Sequence, residues 1–168
     1  AVTVLIFSVS IYALNGSKVE AATVGQKLTA PEEGWQRYEE SNSLIVYNGT
    51  WHTNTGSIYG GGSNKYGDNA SVEFVFYGTQ MRFIGGISTT EESSENIQIY
   101  VDGSLHGSFS QKGSSVVTAL NYEIRNLPLG NHKIKVVTKE RMIIDSIDIN
   151  SDGKLIPVSE YQPAHSNI

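Results

Sequence analysis

Trp51, His52, Tyr59, Lys65 and Tyr66 fall within one glycine-rich stretch of this chain. Their types suit a hydroxylated ring ligand, whose apolar face stacks on an aromatic side chain while donors and acceptors fix its hydroxyls. Arg82, on the outward side of a neighbouring strand, is expected to border the same surface. For Trp51 the competing expectation is packing at a sheet edge, because large aromatics are mostly buried. Tyr59 and Tyr66 each precede a glycine and are the better surface candidates.

Carboxylates cluster at Glu32-Glu33, Glu39-Glu40, and Glu91-Glu92 with Glu95. Glycoside hydrolysis needs two carboxyl groups facing each other across a cleft, and clusters in polar stretches do not imply that arrangement. There is no cysteine, no G-x-S-x-G and no H-E-x-x-H, so no nucleophile and base can be paired, and the chain reads as non-catalytic. His52, His106, His132 and His165 have no metal-ligand spacing. Asp145 shares a strand face with Ile143, Ile147 and Ile149, so its carboxylate must be hydrogen-bonded or bound to a cation. The run from Asp148 to Gly153 matches the first half of a calcium loop. Its twelfth position is Ser159, however, Glu160 comes one residue late and Pro157 intrudes, so it reads as a turn. Lys133, Lys135, Lys139 and Arg141 make a basic patch: a solvated face, or a surface for an anionic glycan.

Period-two patterning supplies the scaffold. Residues 97–109 alternate on both sides of Asp102-Gly103, as in a β-hairpin with one buried face. A three-residue loop, Val101-Asp102-Gly103, would pair Ile99 with Leu105 and put Gly103 in the left-handed position that favours glycine. Further strands are expected at 44–47, 71–77, 81–84, 116–125, 132–137 and 141–150. Val72, Phe74, Phe76, Ile134 and Val136 should face inward, Lys133 and Lys135 outward. Residues 48–69, with Gly60-Gly61-Gly62 at their middle, read as a long connection that holds a short strand near 57–59 or serves a function. No helix-period segment and no internal repeat stand out. The fold class is all-β, an antiparallel β-sandwich.

At 168 residues with a formal net charge of -5, the chain suits one domain and gives no electrostatic reason to expect nucleic acid. Residues 1–14 are mostly apolar, and a polar stretch leads to Val19-Glu20-Ala21-Ala22, the pattern of a secretory signal peptide. The expected organisation is residues 1–22 as that signal, entered part-way along, 23–150 as the sandwich, and 151–168 as a polar tail. No membrane insertion is expected after cleavage. An exported domain without cysteine fits a bacterial source better than a eukaryotic one. The acceptor patterns at Asn15, Asn48 and Asn69 matter only in a eukaryote.

The order of Gly34-Trp35-Gln36-Arg37-Tyr38, Ile45-Val46-Tyr47-Asn48-Gly49-Thr50-Trp51 and Ser71-Val72-Glu73-Phe74-Val75-Phe76-Tyr77-Gly78-Thr79 carries a family likeness. Ile99-Tyr100-Val101-Asp102-Gly103, Leu127-Pro128-Leu129-Gly130-Asn131-His132 and Ile144-Asp145-Ser146-Ile147 complete it. The chain resembles, over about residues 34–150, the galactose-binding-domain-like β-sandwich modules of secreted Gram-positive glycoside hydrolases and surface proteins. The resemblance implies a jelly-roll and a secreted, non-catalytic module for a polysaccharide or cell-surface glycan. The alternative on the same fold is a structural or protein-interaction domain without a glycan site. It also implies one structural calcium, for which Asp145 with Glu39 or Asn42 could supply oxygen ligands. Plain hydrogen bonding of Asp145 is the other reading.

Overall fold

The computed structural model describes residues 20–163. Most of the apolar leader, the Asn15 acceptor pattern and His165 lie outside them. Two antiparallel sheets pack face to face. The first contains β1 (Trp35–Glu39), β4 (Met81–Ile87), β7 (Val116–Ile124) and β10 (Ser146–Asn150), in the order β1-β10-β4-β7. The second is built on β3 (Ser63–Gly78) and runs through β11 (Lys154–Ile156), β3, β8 (Gly130–Val137), β5 (Ile97–Val101) and β6 (Ser104–Phe109). β2 (Val46–Thr55) and β9 (Arg141–Ile144) also pair with β3.

The expected inward set lies where alternation puts it. Val72, Phe74 and Phe76 share the inward face of their sheet with Ile97, Ile99, Ile134 and Val136 and meet Met81, Phe83, Ile147 and Ile149 from the other sheet, in one continuous core. Phe74, Phe76 and Phe83 are wholly buried, which stabilises the fold by roughly 1.5–3 kcal/mol each.

Three expectations need correction. Residues 48–69 are not a long connection but most of a β2–β3 hairpin, whose tip carries a short 3-10 turn at Gly60–Gly62. Apolar alternation could not reveal it, because its strands are rich in Asn, Thr and Gly and pack Trp51 on Gly67, where no side chain intervenes. The single strand expected at 141–150 is two strands in different sheets. The chain changes sheet at Asp145, so Met142 and Ile144 and then Ile147 and Ile149 enter the core with their parity switched.

The β5–β6 hairpin closes with the two-residue turn Asp102-Gly103, at φ values of 52° and 86°. Val101 therefore pairs with Ser104 and Tyr100 with Leu105, and a bulge restores Ile99 to a place opposite Gly107. Ile99 does not pair with Leu105, which stays exposed. The lead-in to β1, residues 23–34, is also part of the sandwich. Leu120 N–H donates to Gln26 O, and Gly25 and Leu28 donate to Leu120 O and Thr118 O, so this segment extends the first sheet past β7.

Candidate functional site

The β2–β3 tip turns on glycines because it must. Gly61 and Gly62 have φ values of 58° and 91°, and Gly60 N–H donates to Asp145 Oδ2 at 2.9 Å. A side chain at Gly60 would collide with the Asp145 carboxylate, and one at Gly61 with that of Glu39. The tip thus lies directly over an acidic cluster. Glu39 ends β1, Glu40 follows it, and Asp145 sits at the sheet change. Glu40 N–H donates to Asp145 O at 3.0 Å, tying the two segments together. The Tyr47 hydroxyl donates to Glu40 O at 2.6 Å, and burial pushes that phenol's pKa up.

Glu40 Oε1 accepts the Ser63 hydroxyl at 2.5 Å. Glu39 Oε2, Glu40 Oε2 and Asp145 Oδ1 are buried without a hydrogen-bond partner. Burial raises the Glu39 carboxyl, and the Asp145 charge raises it further. Burial also raises Asp145, against the lowering effect of the Gly60 amide, and the Glu40 charge adds to the rise. Unpartnered buried oxygens on charged groups are costly and need an explanation. Among the described residues no three Asp, Glu or His side chains are already grouped as a metal shell. The oxygen donors are nonetheless hard ligands of the kind calcium takes. Asn42 Oδ1 accepts Leu44 N–H at 2.9 Å and so caps its own turn, while Glu40 lies directly against Asp145.

Beside this cluster opens a cavity of about 590 Å³, lined by Tyr59, Ile58, Lys27, Thr118, Gly60 and Gly61 among others. Tyr59 is half-buried, with its ring over Gly56, while Ile58 is 63% exposed. Thr118 is buried with φ 57°, a left-handed conformation that is a clear outlier for a β-branched residue. Its hydroxyl makes no hydrogen bond of good geometry, although it stands near enough to the Asp145 carboxylate to lower that group's pKa. Strain of this kind concentrates at functional sites.

Of the residues expected to bind ligand, only Tyr59 reaches this cavity. Trp51 lies edge-on to Tyr47 at 4.9 Å between centroids, and its indole donates to Asn48 O at 3.0 Å. Lys65 donates to the Thr53 hydroxyl at 2.9 Å and lies 5.6 Å from the Tyr47 ring centroid. His52 and Tyr66 face the other way, since neighbours on a strand alternate. They stack with centroids 5.1 Å apart, and the Arg141 guanidinium lies over Tyr66 while gripping Asp68 with two hydrogen bonds.

Arg82 is the largest correction. It points outward as expected but is wholly buried, 4.1 Å from the Trp35 ring centroid, and is held by Glu32 at 2.6 Å and Glu123 at 2.5 Å. The lead-in covers it, so it borders no ligand surface. Asp148 is likewise spent on Arg37, in a bidentate pair of 2.7 and 3.0 Å. Gln36 takes up the carbonyls of Asn150, Ser151 and Gly153, so the 148–153 run is the end of β10 followed by a turn from Ser151.

Sequence reading missed Lys27, Ile58, Thr118 and Glu40. The adjacent acids and the triple glycine were visible signals for part of this site. Thr118 gave none, because nothing in its residue type announces a left-handed backbone.

No family model matches the chain. Among curated relatives it is similar to an A type blood alpha-D-galactosamine galactosaminidase of Flavonifractor plautii, 29% identical over 115 residues. That match covers 67% of this chain and 10% of the enzyme. An A type blood N-acetyl-alpha-D-galactosamine deacetylase of the same organism is 30% identical over 101 residues, covering 59% of this chain and 13% of that protein. The chain therefore spans only a small part of these relatives. Among solved structures, a family 35 carbohydrate-binding module from an environmental isolate superposes with a TM-score of 0.55 at 21% identity, covering 72% of this chain and 97% of that one. The family 35 module of Cellvibrio japonicus Abf62 gives 0.55 at 16% identity, with 71% and 96% covered. The salicylyl-acyltransferase SsfX3 gives 0.56 at 7% identity, with 79% and 44% covered. In fold, the chain is a β-sandwich of the kind found in the carbohydrate-binding modules.

Proposed function

We propose that this chain is a non-catalytic carbohydrate-recognition module of a larger, exported sugar-processing protein, and that it holds a glycan in the cavity at the β2–β3 tip. The observation that carries this reading is the placement of Tyr59, beside a strained Thr118, at the mouth of a cavity built against the acidic cluster. Tyr59 offers the stacking face, while Lys27 supplies a donor for ring hydroxyls. The fold shared with family 35 modules supports the reading, and so do the sugar-acting names of the two relatives. The unpartnered oxygens of Glu39, Glu40 and Asp145 fit one structural calcium, which would neutralise the cluster and fix the glycine tip above it.

A glycan array probed with the wild-type chain and with Tyr59→Ala tests this. Wild type should bind a restricted set of sugars, and the variant should lose about tenfold or more in affinity for them. Unchanged binding by Tyr59→Ala would remove the cavity from the account. Failure of the folded wild type to bind any sugar would favour the structural alternative.

A further inference from the structure

Most sheet edges of this molecule are blunted. The lead-in runs along β7, β1 carries Arg37 and Glu39, and β11 is three residues long. β6 has a bulge at His106, whose ring turns onto the Tyr122 hydroxyl. β2 is different. Among the described residues it pairs with β3 alone, no backbone hydrogen bond from a turn or loop reaches it, and none of its ten residues is buried. Natural edges of this length are protected by lysine, proline or a bulge. The bulge at Gly49 protects only the first part of β2, and residues 50–55 continue to the tip without a charged side chain or a proline.

The direction of the β2 backbone follows from the hairpin. Gly56 N–H donates to Gly62 O at 2.9 Å, and in an antiparallel ladder only alternate residues bond to a given neighbour. Asn54, His52 and Thr50 therefore bond to β3, while Thr55, Thr53 and Trp51 turn their N–H and C=O groups to the open side. The far side of β3 agrees. Arg141 and Ile143 spend their backbone groups on Glu92, Ser94 and Gln111, which leaves their neighbours Asp68 and Tyr66 to bond with Thr50 and His52. This edge has no charge with which to select a foreign strand, but it fits its own copy. Antiparallel pairing about a two-fold axis through Thr53 sets Thr53, Trp51 and His52 opposite the Thr53, Thr55 and Asn54 of a second copy, and every outward amide meets a carbonyl. Threonine on threonine and an aromatic on a β-branched residue are favourable cross-strand pairs. Residues 41–64 contain no Asp, Glu, Lys or Arg, so the contact brings no like charges together in a chain of net charge -5. Lys65, beside Thr53 on β3, would stand about 14 Å from its own copy across the joined sheet, beyond a Debye length of about 8 Å.

We infer that the outward edge of β2, residues 50–55, is a self-recognition surface through which two copies of this chain pair into one continuous sheet, in register about Thr53. An edge this short buries less than the roughly 1,200 Å² at which standard interfaces begin, so the pairing is weak and reversible. The pair carries two tip cavities on one sheet and so can grip a polymer at two points. That consequence rests on the glycan reading; the pairing does not. Sedimentation equilibrium without sugar tests it. Wild type should be monomeric at about 1 µM and mainly dimeric at about 1 mM, more so as salt screens the net charge of the copies. Thr53→Pro removes only an outward donor, and Thr53→Lys sets like charges on the axis. Each should weaken dimerisation about tenfold or more, with the monomer still folded by circular dichroism. The chain has no cysteine, and Cα atoms opposed in a bonded pair lie about 5.5 Å apart, within disulfide range. Thr53→Cys should therefore form a linked dimer on oxidation, far faster than the exposed control Ser151→Cys. Wild type that stays monomeric at about 1 mM overturns the inference. So does a dimer that survives both Thr53→Pro and Thr53→Lys, or a Thr53→Cys variant that crosslinks no faster than the control.

Discussion

Asp145 was legible in the sequence as a carboxylate on an apolar strand face, and its neighbours explain its cost. Glu39 and Asp145 both have folded-state pKa values raised above the ordinary carboxylate range by burial and by neighbouring acids. A raised acid stabilises the fold below its unfolded pKa. That contribution is lost as pH climbs from the unfolded value through the folded one. Above those raised values the cation-free protein therefore carries the full penalty, and calcium should remove it. Calcium at about a hundred times its Kd adds about 2.7 kcal/mol, or roughly 5–10 °C in melting temperature for a domain of this size. We expect that rise at neutral pH, and a smaller one as acid titrates the cluster. In chelator, Asp145→Asn should melt above wild type and respond little to calcium, because the amide oxygen keeps the Gly60 bond without the charge. Equal melting of wild type in calcium and in chelator would rule out the cation. Asn42 accepts Leu44 N–H, the turn-forming role that an Asn side chain commonly takes two residues ahead of an amide.

At the scale of elements, the β5–β6 hairpin shows how parity can mislead. Counting alternation favoured a three-residue loop because Leu105 was assigned to the core. The chain instead makes the two-residue turn and corrects its phase one step later, at a bulge that ends beside Gly107. The Asp102 side chain anchors this turn to the rest of the sheet. Its Oδ1 accepts Lys133 N–H at 2.8 Å and the Tyr161 hydroxyl at 2.9 Å, while Oδ2 lies 2.7 Å from His132 Nδ1. The other His132 ring nitrogen lies 2.6 Å from Pro128 O, so both face acceptors and both bonds form only when the ring carries two protons. Burial works to raise the Asp102 carboxyl, but the His132, Lys133 and Tyr161 hydrogen bonds outweigh it and hold it below its usual range. Stability from Asp102 is therefore present above the ordinary carboxylate pKa and is lost as pH falls through its depressed value. Asp102→Ala should cost about 1–2 kcal/mol in denaturant unfolding, because the carboxylate itself is solvent-screened and the loss falls on the buried imidazole, left facing one acceptor alone. A cost under about 0.5 kcal/mol, the range of ordinary surface changes, would show the anchor to be incidental. The β2–β3 hairpin misled for a different reason. Its core contact is an aromatic ring on bare backbone at Gly67, and no apolar side chain marks that in the sequence.

For the whole molecule, the sandwich could be read from the strands that carry its core, from Val72 to Ile149, because burying one face of each sheet enforces alternation. What could not be read was where the chain changes sheet and what the lead-in covers. Both are tertiary facts: Asp145 looks like mid-strand until its neighbours pair with different sheets, and Arg82 looks solvent-facing until Trp35 and Glu32 close over it. The same two facts narrow the candidate site from the whole 51–66 stretch with Arg82 to the tip of the β2–β3 hairpin. Amide chemical-shift mapping with the tightest-binding neutral oligosaccharide from the array tests that relocation directly. The account predicts the largest saturable shifts at Lys27, Ile58 to Gly61 and Thr118, with the faces of His52–Tyr66 and Tyr100–Lys135 left in place. Largest shifts at Trp51, His52 or Tyr66, with the tip unmoved, would contradict it.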